Sequence, residues 1–269
     1  MTYLNFLIIF LGGPLIALTA LHLLTRRARP AYPTWVSRAA WVAVAAHMLV
    51  ALLYTTPWDN YLVANGVWTY DPALVLGITF GWVPLEEYLF FLLQPLAAGL
   101  WLLWLGQRLA VSAAPARPAA WRIGLTAVLG VVWLGSVALL VSGWAPGTYL
   151  ALELTWALPP IMLQTAVGGD LLWRNRRVVG AALLSLTAYL CAADALAINS
   201  GTWTIAPAYS LNVFLGPLPV EELIFFLLTN TLIVVGLTLV ATGGARERLA
   251  DLFQRLRLPG RTRFASDES

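Results

Sequence analysis

Long runs of apolar residues without a single charge constrain the fold of this chain more than any other feature of its sequence. Several of these runs reach roughly 18 residues or more, a length typical of an α-helix that crosses a bilayer. Only 11% of the residues are charged, against roughly 25% in soluble domains. A surface in contact with water needs more charge than this. The pattern therefore predicts an all-α polytopic membrane protein and argues against a soluble α/β fold.

About seven segments are predicted to span the membrane. The first of them has no Lys or Arg before it, so we interpret it as a span and not as the core of a cleaved signal peptide. The predicted spans are residues 3–24, 37–56, 82–105, 121–142, 147–168, 178–198 and 216–241.

The basic residues are all arginine, and they lie in alternate connections between the predicted spans. Positively charged connections remain on the cytoplasmic side of a membrane. The alternation therefore predicts an integral cell-membrane protein with its N-terminus outside and its C-terminus in the cytoplasm. In the tail, Arg246 to Leu258 fits either a basic amphipathic helix on the inner leaflet or a solvated segment. The arginine-containing connections are 25–38, 106–122, 169–177 and the tail after residue 242.

An internal repeat relates two parts of the chain without gaps, at the constant offset that separates Asp59 from Asp194. About ten identities in register over about 35 residues are not expected by chance. The matched positions are Asp59 with Asp194, 66–69 with 201–204, Pro72 with Pro207, 81–87 with 216–222, and Phe90 and Phe91 with Phe225 and Phe226.

The repeat predicts two parallel three-helix units joined by a linker helix. Equivalent spans lie four apart, so both units have the same orientation, and a pseudo-two-fold axis should run along the membrane normal. The cleft between the units is then the natural ligand site. The predicted divisions are a first repeat at 1–112, a linker transmembrane helix at 113–146, a second repeat at 147–241 and a basic cytoplasmic tail at 242–269.

A Pro-x-Glu-Glu-x-x-Phe-Phe motif occurs once in each unit, at the predicted start of a helix. Proline is favoured at the first helical position, which would put both glutamates in the first turn. The helix dipole favours their anions by about 0.3–1 kcal/mol, whereas burial and a neighbouring like charge favour the neutral acids more strongly. We therefore expect at least one protonated carboxyl in each pair. The glutamates are Glu86 and Glu87 in the first motif and Glu221 and Glu222 in the second.

Other polar and aromatic residues near the motifs are candidates for the same site. Asp59 and Asp194 end the spans before each motif and suit a proton relay, or they face the exposed side. Glu153 is an unpaired acid inside a predicted span, which marks a functional candidate. Trp68 and Trp203 precede the acid helices and could stabilise a cation or anchor the protein at the interface.

The duplicated motif and the arrangement of three, one and three helices resemble the fused heterodimer-type lycopene cyclases of carotenoid biosynthesis. The resemblance covers residues 1–241 and is strongest in 58–91 and 193–226. It implies redox-neutral cyclisation of the linear ψ-ends of lycopene to β-ionone rings, giving β-carotene through γ-carotene, by a lyase or isomerase mechanism.

The resemblance also implies roles for the motif residues. The four glutamates would supply the acid and the base, in an order that the sequence leaves open. Product choice between β- and ε-rings, one or both ends and C40 or C50 substrates is also open. Expected partners are a carotenoid substrate, the lipid bilayer and other enzymes of the pathway, without nucleic acid. The cation-stabilising candidates are Trp68, Trp203, Phe90, Phe91, Phe225 and Phe226.

No cofactor or metal is expected. The family is distinct from the flavin-dependent cyclases, and no Gly-x-Gly-x-x-Gly motif follows a predicted strand. His22 and His47 are separated and have no cysteine neighbours, so they do not form a recognisable metal site.

The main alternative is a proton-coupled membrane transporter in which the paired glutamates are the proton sites. Helices broken by Gly and Pro near 77–84 and 212–219 would suit that function. A retinal protein is excluded because the Schiff base needs a lysine and the chain has none. An apolar tunnel open to lipid would favour the cyclase, and a polar path to both faces would favour transport.

Overall fold

The computed structural model of the protein describes residues 1–25, 35, 37–109, 117–245 and 247–248. This part of the chain is mostly α-helical, which confirms the predicted all-α polytopic membrane fold. A π-helical turn at Ile8–Gly12 separates the first two helices, which together form one span. The helices are α1 Tyr3–Leu7, α2 Gly13–Thr25, α3 Arg38–Ala64, α4 Leu85–Gly106, α5 Ala119–Val141, α6 Thr148–Leu172, α7 Arg176–Asn199 and α8 Val220–Ala241.

Six helical stretches of the described residues are long and apolar enough to cross a membrane. One of them, Ala145–Asn199, has 55 residues, well over twice the roughly 20 that one crossing needs. It contains both α6 and α7, which meet at a 3₁₀ turn at Trp173–Asn175. Counted separately, α6 and α7 correspond to the predicted spans 147–168 and 178–198, so each predicted span has a helical counterpart.

The helices α4 and α8 form the centre of the bundle. They are the most buried of the spanning helices, and they pack against each other as well as against α3 and α7. The helix α5 packs along α6 and buries only Ser136. Its remaining apolar surface suits contact with lipid, where exposed apolar side chains carry no penalty.

A short antiparallel ladder joins the two copies of the repeated Gly-x-Trp-Thr segment. Strand β1, Trp68–Tyr70, pairs with strand β4, Trp203–Ile205, and Thr69 lies opposite Thr204. These two threonines are equivalent positions of the repeat. Pairing of equivalent residues in an antiparallel ladder has two-fold symmetry, so a local pseudo-two-fold axis passes between them.

The segments before the acid helices are hairpins and not the broken helices that a transporter would suit. Strands β2, Thr79–Phe80, and β3, Val83–Pro84, form the first hairpin. Strands β5, Phe214–Leu215, and β6, Leu218–Pro219, form the second. Each tight turn contains a glycine in the left-handed conformation, Gly81 with a φ of 68° in the first hairpin and Gly216 with a φ of 65° in the second.

The end of α6 is tied to the start of the C-terminal tail. Arg248 donates hydrogen bonds of 2.6 Å from both terminal nitrogens to the two carboxylate oxygens of Asp170. The predicted tail helix Arg246–Leu258 otherwise lies outside the described residues, as do Arg26, Arg27 and Arg29 of the first arginine-containing connection.

We expect Asp170→Asn to lower the unfolding free energy of the protein by about 1–3 kcal/mol, since the bidentate charge-assisted pair is lost. Thermal unfolding in detergent, followed by circular dichroism, measures this loss. Glu247→Gln is the control, because Glu247 is an exposed neighbour of Arg248. Equal stability of the two variants would contradict the role of the ion pair.

Candidate active site

The two acid motifs adopt the same local structure. In each, a hairpin leads directly into a helix whose first turn carries two glutamates. Pro84 and Pro219 precede the first helical residue, with φ/ψ of −68°/152° and −60°/146°. The prediction of proline at the first helical position was therefore wrong by one residue. The physical reason is that both prolines also pair in strands β3 and β6, which requires an extended backbone.

The first glutamate of each pair holds the loop that precedes its helix. Glu86 Oε1 accepts the backbone N–H of Leu76 at 2.6 Å. Glu221 Oε1 accepts the backbone N–H of Leu211 at 2.6 Å and the Ser210 hydroxyl at 3.0 Å. Leu76 and Leu211 are equivalent in the repeat. Both glutamates are fully buried and satisfy loop donors that would otherwise lack a partner.

The second glutamate of each pair contacts tyrosine hydroxyls in the interior. Glu87 Oε2 accepts hydrogen bonds from Tyr3 of α1 and, at 3.0 Å, from Tyr70 of β1. Glu222 Oε1 accepts a hydrogen bond of 2.7 Å from Tyr149 of α6. The two glutamates of a motif are therefore inequivalent, because one faces the loop and the other faces the space between the helices.

Asp59 and Asp194 lie beside the second glutamates. They are 2% and 1% exposed and lie inside α3 and α7, which continue to Ala64 and Asn199 and do not end at the aspartates as predicted. Asp59 interacts electrostatically with Glu87.

Asp194 interacts electrostatically with both Glu87 and Glu222, and these two glutamates interact with each other. With Asp59 they form a four-carboxyl cluster, Asp59, Glu87, Asp194 and Glu222, to which both halves of the chain contribute.

The four-carboxyl cluster has no compensating cation among the described residues. The one ion pair in the described part of the chain is the distant one between Arg248 and Asp170. Four buried anions without a counter-charge would be very unfavourable. Some of the carboxyls must therefore retain protons, and their protons are shared among interacting groups.

Tyr70 and the two repeated tryptophans lie around the cluster. Burial raises the pKa of the Tyr70 hydroxyl well above its ordinary range, and the nearby carboxyls of Asp59 and Glu87 raise it further. Tyr70 is therefore a permanent hydrogen-bond donor. Trp203 donates a hydrogen bond of 2.8 Å from Nε1 to Asp194 Oδ1, whereas the buried Nε1 of Trp68 has no partner in the described part of the chain.

Glu153 lies in α6, one turn beyond Tyr149. It is fully buried. The Tyr149 hydroxyl, which donates to Glu222, is also a polar neighbour of its carboxyl, but neither carboxyl oxygen has a well-aligned hydrogen bond among the described residues. It interacts electrostatically with Glu222. Tyr149 donates a hydrogen bond to Glu222, as Tyr3 does to Glu87, so the two tyrosines are equivalent. The interval that separates them also separates Leu7 from Glu153, and Leu7 is therefore the counterpart of Glu153.

The predicted aromatic residues are all buried. The rings of Phe225 and Phe226 are in edge contact, with centroids 5.3 Å apart. The rings of Trp68 and Phe225 are also in an edge-to-face arrangement, with centroids 6.3 Å apart. The two tryptophans therefore lie in the interior of the protein, and the interpretation of Trp68 and Trp203 as interfacial anchors was wrong. The residues in this aromatic core include Trp68, Trp203, Phe90, Phe91, Phe225 and Phe226.

Several residues of the site escaped prediction. Tyr3 and Tyr149 are separated by the same interval as Pro14 and Pro160. Because this interval is longer than the one between Asp59 and Asp194, an ungapped comparison misses it. Aligning the prolines with a gap would have revealed the tyrosines. Trp58 and Trp156, which stack with centroids 4.6 Å apart, have no such signal, since neither is matched by a tryptophan in the other unit.

A cavity of about 260 Å³ opens between α3, α4, α6 and α8. We call it the α6 cavity. Most of its lining is apolar or aromatic, and its rim includes exposed residues of α3, a helix with several exposed apolar side chains. Within the described part of the chain, its lining contains none of the motif glutamates, but the lining residues Phe91 and Phe225 follow Glu87 and Glu221 by one helical turn. Its lining includes Tyr54, Phe90, Phe91, Trp156, Gln164 and Phe225.

The chain is similar in sequence to known proteins. The sequence model of the family described as lycopene cyclase matches residues 1–105 and 146–240, and the unmatched stretch contains α5. The lycopene beta-cyclase of Halobacterium salinarum is 41% identical over 256 residues, which cover 92% of this chain and 99% of that protein. The bifunctional lycopene cyclase/phytoene synthase of Podospora anserina is 33% identical over 216 residues, 77% of this chain and 36% of that protein. No solved structure matches the chain.

Proposed function

Because this chain belongs to the lycopene cyclase family, we propose that it closes the linear ψ-ends of lycopene to β-ionone rings. The expected product is β-carotene, formed through γ-carotene, in an isomerase or intramolecular lyase reaction. The observation that carries the proposal is the buried four-carboxyl cluster, one helical turn from the phenylalanines that line an apolar, aromatic cavity. A proton-driven rearrangement of a hydrocarbon needs both parts, and the reaction needs no oxidant or reductant.

The chemistry requires one protonated acid and one carboxylate. The acid O–H transfers its proton to the terminal double bond, which leaves a tertiary cation. The neighbouring double bond attacks this cation and forms the ring C–C bond. A carboxylate then removes a proton from the ring carbon next to the new cation, and the ring double bond forms. The proton that entered is matched by the proton that leaves, so the substrate is isomerised without redox change.

Glu87 and Glu222, with Asp59 and Asp194, are our candidates for these groups. The carboxyls of Asp194 and Glu222 are close enough to share a hydrogen bond, and Asp194 Oδ2 and Glu222 Oε2 are both buried with no hydrogen-bond donor in the described part of the chain. A proton on one of these oxygens would provide a donor where the structure has only acceptors. Two close carboxyls that share a proton are a standard acid/base pair.

Glu86 and Glu221 are assigned a positioning role. Their carboxylates accept backbone N–H groups of the loops, so they fix the hairpins and the helix starts. This divides the four glutamates that the sequence treats alike into two structural acids and two reacting ones.

The aromatic core supports the cationic intermediate. An aromatic face stabilises a nearby cation by about 0.5–2 kcal/mol, and it does so without adding to it as a base or a nucleophile. Phe90, Phe91 and Phe225 line the α6 cavity and are the residues proposed for this contact. Trp68, which packs against Phe225, and Trp203 are further candidates. The absence of bulk water in such a cavity would protect the cation from hydration.

The membrane setting suits a substrate that dissolves in the bilayer. The rim of the α6 cavity includes the exposed Val50 and the half-exposed Tyr54, so a hydrocarbon could pass from lipid into the cavity. This apolar lining favours the cyclase over the transporter. The N-terminus outside, the cytoplasmic C-terminus, the division into repeats at 1–112 and 147–241, and contacts with other enzymes of the carotenoid pathway remain part of the proposal.

Expression in a lycopene-accumulating host with chromatographic pigment analysis tests the function. The expected result is conversion of lycopene to a bicyclic product with a monocyclic intermediate. An empty vector is the control for host activities. Unchanged lycopene, with the protein present in the membrane fraction, would refute the proposal.

We expect Tyr149→Phe to lower the turnover rate about tenfold, since the hydrogen bond that orients Glu222 contributes roughly 1–1.5 kcal/mol. Pigment formation per unit of membrane protein measures the effect. Tyr209→Phe is the matched control, because Tyr209 lies outside the carboxyl cluster in a 3₁₀ turn. Equal turnover in the two variants would remove Tyr149 from the mechanism.

A further inference from the structure

A second cavity, of about 330 Å³, borders the central helix α4 between the π-helical turn, α2 and α7. We call it the α2 cavity. Gln94 lines both cavities and donates a hydrogen bond of 2.9 Å to Asn230. Other polar groups around the α2 cavity are hydrogen-bonded to each other, since Trp101 Nε1 donates to the Ser185 hydroxyl at 2.8 Å. Its lining is otherwise almost entirely apolar.

The two cavities are equivalent under the internal repeat. Tyr54 of α3 donates a hydrogen bond of 2.8 Å to the carbonyl of Trp156 in the α6 cavity. Its equivalent, Tyr189 of α7, donates a hydrogen bond of 3.0 Å to the carbonyl of Phe10 in the α2 cavity. Phe10 and Trp156 are separated by the same interval as Tyr3 and Tyr149. Each cavity therefore joins the first span of one half to the second span of the other.

The cavities differ in the groups needed for reaction. Two of the three motif phenylalanines of the α6 cavity, Phe90 and Phe225, are equivalent to each other. The lining of the α2 cavity, within the described residues, includes none of the motif phenylalanines. The buried Glu153 lies one turn from Trp156 of the α6 cavity, and its counterpart in the first half of the chain is Leu7. Among the described residues, the α6 cavity is therefore the one of the two with motif phenylalanines in its lining and with a buried acid one turn from a lining residue.

We propose that the α6 cavity holds the end group that reacts, and that the α2 cavity binds a linear polyene hydrocarbon without reacting it. This proposal rests on the proposed function. The rim of the α2 cavity includes the exposed Ala17 and Tyr189, and an apolar cavity that opens at membrane depth takes up hydrocarbon rather than water. Because its helices and its tyrosine–carbonyl contact match those of the α6 cavity, it should accept the same class of chain.

Bulky substitutions at the two rims test the difference. Ala17 of the α2 cavity and Ala46 of the α6 cavity are both exposed alanines, so tryptophan at either position should leave the fold intact. Val128→Trp, on the exposed surface of α5, is the control. Each protein is purified from lycopene-accumulating cells, and both turnover and bound polyene per chain are measured.

Ala46→Trp should lower turnover about tenfold or more, because the end group can no longer reach the acids. Ala17→Trp should lower the bound polyene from about two molecules per chain to about one, with a smaller loss of turnover than in Ala46→Trp. Equal losses of turnover in the two variants would show that both cavities react and would overturn the proposal. Unchanged polyene in Ala17→Trp would mean that lipid or nothing occupies the α2 cavity, which also overturns it. Failure of the proposed function is distinguishable, because wild-type protein would then form no cyclic product.

Discussion

Replacing Glu222 by glutamine should lower the rate of ring formation by a factor of about 100 to 10,000, which is the usual contribution of a positioned proton-transfer group. Glu87→Gln should cause a loss of the same order. Glutamine keeps the size of the side chain and can still accept the tyrosine hydrogen bonds, but it can neither give nor take a proton. Turnover of lycopene in isolated membranes, normalised to the amount of folded protein, measures both variants.

The matched controls lie one residue before each reacting glutamate. Glu86→Gln and Glu221→Gln retain an amide oxygen that can accept the N–H of Leu76 or Leu211. Their turnover should fall by no more than about tenfold, which corresponds to a weakened hydrogen bond. If the controls lost more activity than Glu87→Gln and Glu222→Gln, the division into structural and reacting acids would be wrong. Wild-type turnover in both Glu87→Gln and Glu222→Gln would remove the acid/base assignment altogether.

Replacing Glu153 by leucine should make the protein more stable and less active at the same time. A buried carboxyl without a partner costs about 1–3 kcal/mol of unfolding free energy, and leucine is the residue at the equivalent position of the first half. If Glu153 supplies a proton to the α6 cavity, the same substitution should lower turnover about 100-fold. Thermal unfolding in detergent and lycopene turnover give the two values, and Glu153→Gln separates the loss of the proton from the change in shape.

The reverse substitution, Leu7→Glu, is the control for this experiment. It adds a buried carboxyl at the equivalent position of the first half and should destabilise the protein without increasing turnover, because the cavity on that side lacks the motif phenylalanines. A fully active Glu153→Leu variant would reduce Glu153 to a buried acid without a role in the reaction. An inactive variant with reduced stability would point to a packing role.

The position of the acids along the membrane normal could be predicted because it follows from the apolar runs and from the internal repeat. Charge-free runs of sufficient length form spanning helices, and the internal repeat brings Glu86 and Glu221 to equivalent helix starts. The helix boundaries near the motifs were less accurate. Residues 82–84 and 216–219 extend the apolar segments in composition, yet they form hairpins, because Pro84 and Pro219 favour an extended backbone and the glycines turn the chain.

The separate roles of Glu86 and Glu87 could not be predicted, since adjacent residues of one motif have the same chemistry. Which of them faces the loop is decided by the rotation of α4 about its axis, and that rotation depends on packing against α3 and α8. The hydrogen-bond partners of Glu87 are Tyr70 and Tyr3, which lie 17 and 84 residues away in the sequence. Such long-range contacts leave no local pattern in one sequence.

The amino-acid sequence by itself determined that the chain spans a membrane, that it contains an internal sequence repeat, and that carboxylic acids stand in matched first turns of apolar helices. These properties depend on the transfer of side chains between water and lipid and on helical periodicity, and both act along the chain. The tertiary structure alone decided that acids from both halves meet in one cluster, that one glutamate of each pair anchors a loop, and that two equivalent cavities differ in their chemistry. The reason is that these features arise from the distances between side chains on different helices, which packing sets and the order of residues does not.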